Sequence, residues 1–436
     1  LPAVVSFARR MIDPRTLPDP LTIEPLVSPP DVNVVLPGSK SITNRALVCA
    51  ALAEGHSVLR GALFADDTQA MLGVLDGLGI STRADEATAT IEVDGCGGHL
   101  PGTEAHVDAN QSGTTARFAV PLAALGEVPV VVDAHPQMRG RPMGDQFAAL
   151  RSMGVTITEL GEPDRLPARI TGPIDGAETS LPGDTSSQFI TGLLLAGGAS
   201  SMRVTLTTEP ISRPYIEMTS AVMSAFGAEV DDDGDRIWSV GGGYVGTDYR
   251  IEPDASAASY FLAAAAITGG RVRIDGLGRN ALQGDVAFAE VLGEMGCRVD
   301  LGPDHVEVSG RASRGVEVDL SDISDTAPTL AVVAAFADSP TRVDGIGFIR
   351  DKESDRVAGP VTELRRAGVD AEEHHDGFAI RPSGLPSPAT FDTYDDHRMA
   401  MAFSLVGLVV NGVEISDPGC VAKTFPGFFQ ALDQLR

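Results

Sequence analysis

The chain contains three lysines, Lys40, Lys352 and Lys423, against thirty arginines. So skewed a composition uses arginine wherever a generic cation serves, which marks the lysines as places that need a compact, rotatable ammonium rather than a planar fork. Lys40 follows a Pro-Gly turn in LPGSKSITNRAL (residues 36–47), flanked by Ser39, Ser41 and Arg45, with helical periodicity from about Thr43. Free N–H groups at such a helix start favour an anion, and so does the helix dipole. The spacing is not that of a Walker phosphate loop. NQSGTTARF (110–118) repeats the theme around Gly113, with Arg117 one turn on. HPQMRGRP (135–142) puts Arg139 and Arg141 in one turn, where a guanidinium suits a carboxylate or a phosphate. GDTSSQF (183–189) and ISRPYIEM (211–218) present Ser186, Ser187, Gln188, Ser212 and Tyr215. These groups suit a phosphate or polyol, and equally a helix cap or turn.

The second half adds carboxylates. SDISDTAPTLAVVAAF (321–336) sets Asp322 and Asp325 before an apolar helix, the ordinary place of an N-cap. IRDKESDR (349–356) packs Lys352, Glu353, Asp355 and Arg356 into one turn. YDDHRMAMAFSLVGL (394–408) opens another apolar helix with Asp395, Asp396, His397 and Arg398, and AKTFP (422–426) holds Lys423. Taken singly, each cluster reads as a solvated helix face. Because all three lysines fall in such segments, the set reads instead as one shared anion-binding cleft. His374 and His375 sit in a polar turn, and no ligand spacing supports a metal.

A pattern that recurs five times must position these segments: an amphipathic helix ending in hydrophobic–Gly, a strand, a polar turn and a second strand. The helix-ending glycines are Gly79, Gly154, Gly227, Gly296 and Gly368, spaced 69 to 75 residues apart. Each stands where a helix needs a left-handed C′ residue, and the alternation after it has the period of a half-buried strand. A period near 70 is too long for a solenoid and fits a small βαβ-containing unit. The N-terminal strands lack a preceding helix and the C-terminal helix lacks a following hairpin, so the two ends complete a sixth unit. The expected fold is α/β (α+β), two lobes of three units each. One lobe is discontinuous, residues 1–38 plus 252–436, the other is 39–251, and the site lies in the cleft between them. A net charge of −27 over 436 residues argues against nucleic acid or an anionic membrane as partner. Four scattered cysteines suit a reducing cytoplasm. The first twenty residues, with Arg9 and Arg10, read as an untargeted extension and not a signal peptide.

Taken in order, LPGSKSITNRAL, SGTTARF, SSQF, SRPYIEMT, DKESDR, YDDHRMAMAFSL and AKTFP resemble the EPSP synthase (3-phosphoshikimate 1-carboxyvinyltransferase) family of enolpyruvyl transferases, from about Leu21 to Arg436. The resemblance implies two lobes of βαβαββ units with pseudo-three-fold symmetry. It implies transfer of the enolpyruvyl group of phosphoenolpyruvate to shikimate 3-phosphate with release of phosphate, without metal or cofactor, in a cytoplasmic monomer. Carried over residue by residue, Lys40, Ser41, Arg45, Ser186, Ser187, Gln188, Ser212, Tyr215, Asp325 and Lys352 match the shikimate 3-phosphate site. Lys40, Gly113, Arg141, Gln188, Arg356, His397, Arg398 and Lys423 match the phosphoenolpyruvate site. Asp325, Glu353 and Lys40 match catalytic positions, with Asp325 expected as an ionised base and Glu353 as an acid of raised pKa. Gln111, Gln137, Arg213 and Phe348 depart from the family's usual Asn, basic residue, Lys and Asn. The rivals are the sister transferase acting on UDP-N-acetylglucosamine, whose typical cysteine or Asp is absent from the 135–142 loop as a cysteine, and a non-catalytic phosphate-binding relative.

Overall fold

The computed structural model describes residues 12–436 except residue 103. Of the proposed N-terminal extension, residues 1–11 therefore lie outside the described residues. Each of the five predicted helix-ending glycines has positive φ, between 79° and 109°, and each leads into an antiparallel hairpin. Five four-stranded sheets share one order, a parallel pair followed by that hairpin. In one of them Ala105–Asp108 runs parallel to Val130–Asp133, which pairs antiparallel with Ala168–Thr171, which in turn pairs with Thr156–Glu159. The sixth sheet joins the chain ends: Leu21–Ile23 lies antiparallel to Val413–Ile415, and Thr390–Phe391 parallel to it.

These six units bury two separate apolar cores. One takes residues from Ile23 to Leu36 and from Ala255 to Leu435, the other from Ile42 to Ile251. In one core the helices Lys40–Leu52, Gly113–Ala123 and Ser187–Ser200 pack on one another. In the other, Ala255–Thr268, Ala327–Ala335 and His397–Gly407 do the same. Their sequences are apolar on nearly every face, so they are stable only in an interior. Small residues, as in the run from Ala263 to Ala266, let the axes come close. Five of these helices begin on a side-chain cap: Ser39 accepts from Ile42 N, Ser112 from Thr115 N, Ser186 from Gln188 N, Asp254 from Ala257 N and Asp396 from Arg398 N. Such caps satisfy donors that the first turn leaves without intrahelical partners. Among the described residues no helix is long and apolar enough to cross a membrane.

Among the described residues the chain passes between the cores twice, and the two passages lie side by side. Ser39 N donates to Glu252 O at 2.8 Å, Asp254 N donates to Pro37 O at 2.9 Å, and Lys40 N donates to Asp254 Oδ2 at 3.0 Å. Asp254 thereby caps its own helix and holds the first turn of the helix that starts the other lobe. Gly38 sits in this crossing, where an added Cβ would lie 1.8 Å from the carbonyl oxygen of Gly61. Backbone facing backbone cannot relieve that clash by a rotamer change. Gly38→Ala should therefore destabilise the protein by about 1–3 kcal/mol. Chemical denaturation followed by the single tryptophan, Trp238, measures this; an unchanged midpoint would mean that the crossing is loose.

Candidate active site

Where the inner helices of the two lobes face each other, one small polar cavity is lined by Lys40, Asp67, Gly113, Thr114, Arg141 and Gln188 from one lobe, and by Asp325, Lys352, Glu353, Arg356, His397 and Arg398 from the other. Helix starts deliver Lys40, Gly113, Gln188, His397 and Arg398. The helix Ala327–Ala335 is the exception among the six, because its start has no side-chain cap. Asp325, which the sequence suggested as that cap, turns its carboxylate to Arg356 Nη1 at 3.1 Å and Arg398 Nη2 at 2.5 Å instead. Asp396 does both tasks, accepting from Arg398 N at 2.9 Å and from Arg356 Nε at 2.8 Å.

Arg356 is 2% exposed and meets three carboxylates, those of Asp325, Asp396 and, at 2.8 Å, Glu353. Glu353 also faces Arg141 Nη1 and Lys423 Nζ, each at 3.7 Å. Lys423 reaches across the cleft, donating to Asp67 at 2.8 Å and to the carbonyl of Gln111 at 2.7 Å. Lys40 lies 3.4 Å from the other Asp67 oxygen. Despite this density of pairing, Nε of Arg117, Arg141 and Arg398 and both ring nitrogens of His397 are buried without a hydrogen-bond partner. The unused donors of Arg141 and Arg398, both on the cavity wall, suit an anion there. A methyl on Gly113 would lie 2.6 Å from Arg141 Nη1 and 2.8 Å from Arg117 Nη1, so any larger residue would push both guanidiniums from these positions.

The electrostatics separate the two central carboxylates from what their burial alone would dictate. Burial pushes Asp325 up, but Arg398 and Arg356, helped by Lys352 and Lys40, outweigh it and keep the group ionised. Glu353 departs from the raised pKa expected for it. Burial raises its pKa, yet Arg356, Arg141 and Lys423 together hold the carboxyl well below its usual range. Burial lowers Lys352 to about 8, Asp325 opposing and the neighbouring arginines reinforcing the shift. Burial and then Arg398 hold His397 neutral, far below its ordinary value.

The remaining expected residues lie around this cavity rather than on it. Ser41 lines an adjoining pocket with Ser256 and Tyr260. Arg45 is occupied within the protein, by Thr219 Oγ1 at 2.8 Å, Ser41 O at 2.8 Å and Tyr215 O at 3.1 Å. Ser186 is the cap of its helix, with Ser187 the first helical residue. Ser212, at positive φ, donates to Ser321 O across the lobes. The Tyr215 hydroxyl lies 3.3 Å from Asp325 and from both oxygens of Asp285. Asp67, Thr114 and Asp285 escaped the sequence reading. In ADDT and QGDV the two acids look like ordinary first-turn residues, and only the fold shows that burial and Asp325 push Asp285 up to about 7. Among the departures, Arg213 turns to Glu217 and Asp232, and the Phe348 ring lies 5.9 Å from Lys352 Nζ. Among the described residues no group of three or more His, Cys, Asp or Glu is set to hold a metal.

NikO of Streptomyces tendae, an enolpyruvyl transferase, shares this two-lobed fold, with a TM-score of 0.72 over 96% of this chain and 98% of its own at 19% identity, a likeness of fold alone. An EPSP synthase structure from Acinetobacter baumannii matches more closely, with a TM-score of 0.81 at 28% identity over 96% of this chain and 98% of that one. The family model for EPSP synthase (3-phosphoshikimate 1-carboxyvinyltransferase) matches residues 28–432. A 3-phosphoshikimate 1-carboxyvinyltransferase of Nostoc punctiforme is 42% identical over 95% of this chain and all of its own length. One of Serratia proteamaculans is 41% identical over 96% and 99%. The chain belongs to the EPSP synthase family.

Removing one member of a buried ion cluster leaves the others uncompensated. With a fifth of its side chain exposed, Asp325→Asn should destabilise the protein at the lower end of the ~3–5 kcal/mol typical of a broken buried pair, and added inorganic phosphate should recover part of the loss. Because the folded pKa of Asp325 is depressed, its contribution is present above the unfolded value and disappears as pH falls through the folded one. The fall in stability below about pH 4 should therefore be shallower in the variant. Identical stability curves for the two proteins would mean that Arg356 and Arg398 do not depend on this carboxylate.

Proposed function

We propose that the chain transfers the enolpyruvyl group of phosphoenolpyruvate to the 5-hydroxyl of shikimate 3-phosphate, releasing phosphate through a tetrahedral intermediate, as a step of aromatic amino-acid biosynthesis. The observation that carries this is the meeting of Lys40 and Arg141 with Lys352, Arg356 and Arg398 around Asp325 and Glu353 in one inter-lobe cavity. We assign residues 1–38 plus 252–436 to one lobe and 39–251 to the other. Both halves of the cavity come from one chain, which supports a monomer. The four cysteines are unpaired, which supports a reducing cytoplasm.

Asp325, held ionised, is the base for the 5-hydroxyl as that oxygen attacks C2 of phosphoenolpyruvate. C3 gains a proton from Glu353, which takes one back from C3 as phosphate leaves. Arg141, Arg356, Arg398 and Lys423 stabilise charge on the departing phosphate, with Gly113 keeping the approach open and His397 a neutral partner beside them. Lys40 and Gln188 sit between the two ligands. Ser41, Arg45, Ser186, Ser187, Ser212, Tyr215 and Lys352 hold shikimate 3-phosphate. The cavity, about 30 Å³, has room for no more than a few waters, so the ligands enter as the lobes part and the site is completed as they close.

The low pKa of Glu353 follows from the three cations that face it. Phosphoenolpyruvate brings its own negative charge to those cations, which lets burial reassert itself and raises the Glu353 pKa. Calorimetry in buffers of different ionisation enthalpy should detect proton uptake when phosphoenolpyruvate joins the shikimate 3-phosphate complex. Glu353→Gln should bind both ligands, lack that uptake and lose turnover by at least about 100-fold; near-parental turnover would remove Glu353 from the mechanism. Phosphate release from phosphoenolpyruvate, assayed with shikimate 3-phosphate and with UDP-N-acetylglucosamine in parallel, decides the acceptor. Release with the first alone is expected, release with the second alone would overturn the acceptor assignment, and silence with both would refute transferase activity.

A further inference from the structure

Glu353 lies outside any regular element, between the short 3-10 helix Gly347–Asp351 and the helix Ala358–Arg366. Its carboxylate is gripped by cations, but nothing in its own lobe has yet accounted for how its backbone is held. The partner comes from the facing lobe: Gln137 Nε2 donates to the Glu353 carbonyl oxygen at 3.0 Å. Gln137 belongs to the single helical turn Pro136–Arg139, which is started by His135 and followed two residues later by Arg141. The turn and the residue just beyond its cap therefore hold Glu353 at both ends, Gln137 at the carbonyl and Arg141 at the carboxylate, 3.7 Å away. Gln111 makes a comparable crossing at the other side of the cleft, donating to Asp395 Oδ2 at 2.9 Å.

We propose that Gln137 is a positioning residue for Glu353: its amide fixes the backbone of the acid only when the two lobes meet, so that the acid is assembled by closure. Resting on the transferase reading above, this adds a device by which proton delivery waits for a closed cleft. Gln137 reaches a main-chain oxygen and not a reacting atom, so its effect is on turnover rather than on ligand affinity. A displacement of this kind in a proton donor costs rate steeply because the productive geometry is narrow. Gln137 is half-buried, and its replacement is expected to leave the fold intact.

The test compares Gln137→Ala, which removes the donor, with Gln137→Arg, which carries N–H groups able to reach the same carbonyl. Gln137→Ala should lower kcat about tenfold with the Kd for shikimate 3-phosphate and the melting temperature unchanged, and Gln137→Arg should restore most of the rate. Deuterium exchange of the 347–356 segment in the presence of shikimate 3-phosphate, a readout independent of turnover, should be faster in the Ala variant and return to the parental rate in the Arg variant. Unchanged exchange in Gln137→Ala would sink the proposal, as would a rate loss shared by Gln137→Arg or accompanied by lost ligand affinity. Parental protein that protects the segment yet releases no phosphate would overturn the transferase reading while leaving the positioning role supported.

Discussion

Arg356 is a full charge taken almost entirely out of water, and the rest of the site is arranged around the need to compensate it. An isolated buried guanidinium would cost several kcal/mol. Three carboxylates from three chain segments offset that cost: Asp396 at a helix cap, Asp325 at the start of a helix that has no cap, and Glu353 on an irregular turn. Each of those carboxylates then needs further cations, which draws in Arg398, Arg141 and Lys423. The network is thus self-propagating until it reaches the facing lobe. A chain of net charge −27 can hold an anionic ligand only where cations are concentrated in this manner.

The fold supplies such a place because six similar units point the starts of their inner helices at one gap. Helix starts are rich in unpaired N–H groups and in small capping side chains, so they tolerate both close backbone approach and anions. The apolar helices behind them need no polar face, which is why whole turns of alanine and leucine are spent on packing alone. The same geometry places the two chain crossings seen among the described residues beside Lys40. A change in the angle between the lobes is therefore transmitted to Lys40, whose backbone is held by Asp254 and whose side chain lines the cavity.

Among the interactions across the cleft, two sorts meet around Glu353 and Lys423. Lys423 to Asp67, and Arg141 to Glu353, are charge pairs that an anionic ligand competes for. Gln137 to Glu353 and Gln111 to Asp395 are donated by neutral amides that bring no competing charge of their own. The amide contacts hold the facing lobes together without adding a charge to the cation shell around Glu353.

The repeat was legible in the sequence because its signals are local. A glycine at a helix end must adopt positive φ, and an alternating strand must follow it, whatever surrounds them. The lysines and the charged clusters were legible for a similar reason: rare residue types in unusual company mark a site before any contact is known. The partners were not legible. Asp325 and Asp396 have the same local pattern, an acid before an apolar helix, yet one caps its helix and the other faces two guanidiniums. Asp67 and Asp285 carry no local mark at all. The direction of the Glu353 pKa was likewise beyond the sequence, since it depends on three cations that lie 3 to 212 residues from it along the chain. Residue type and spacing determined the elements and the class of chemistry. Which charges share a low-dielectric space, and therefore which are ionised, was decided only when the two lobes met, because Coulomb energy depends on distance in space and not along the chain.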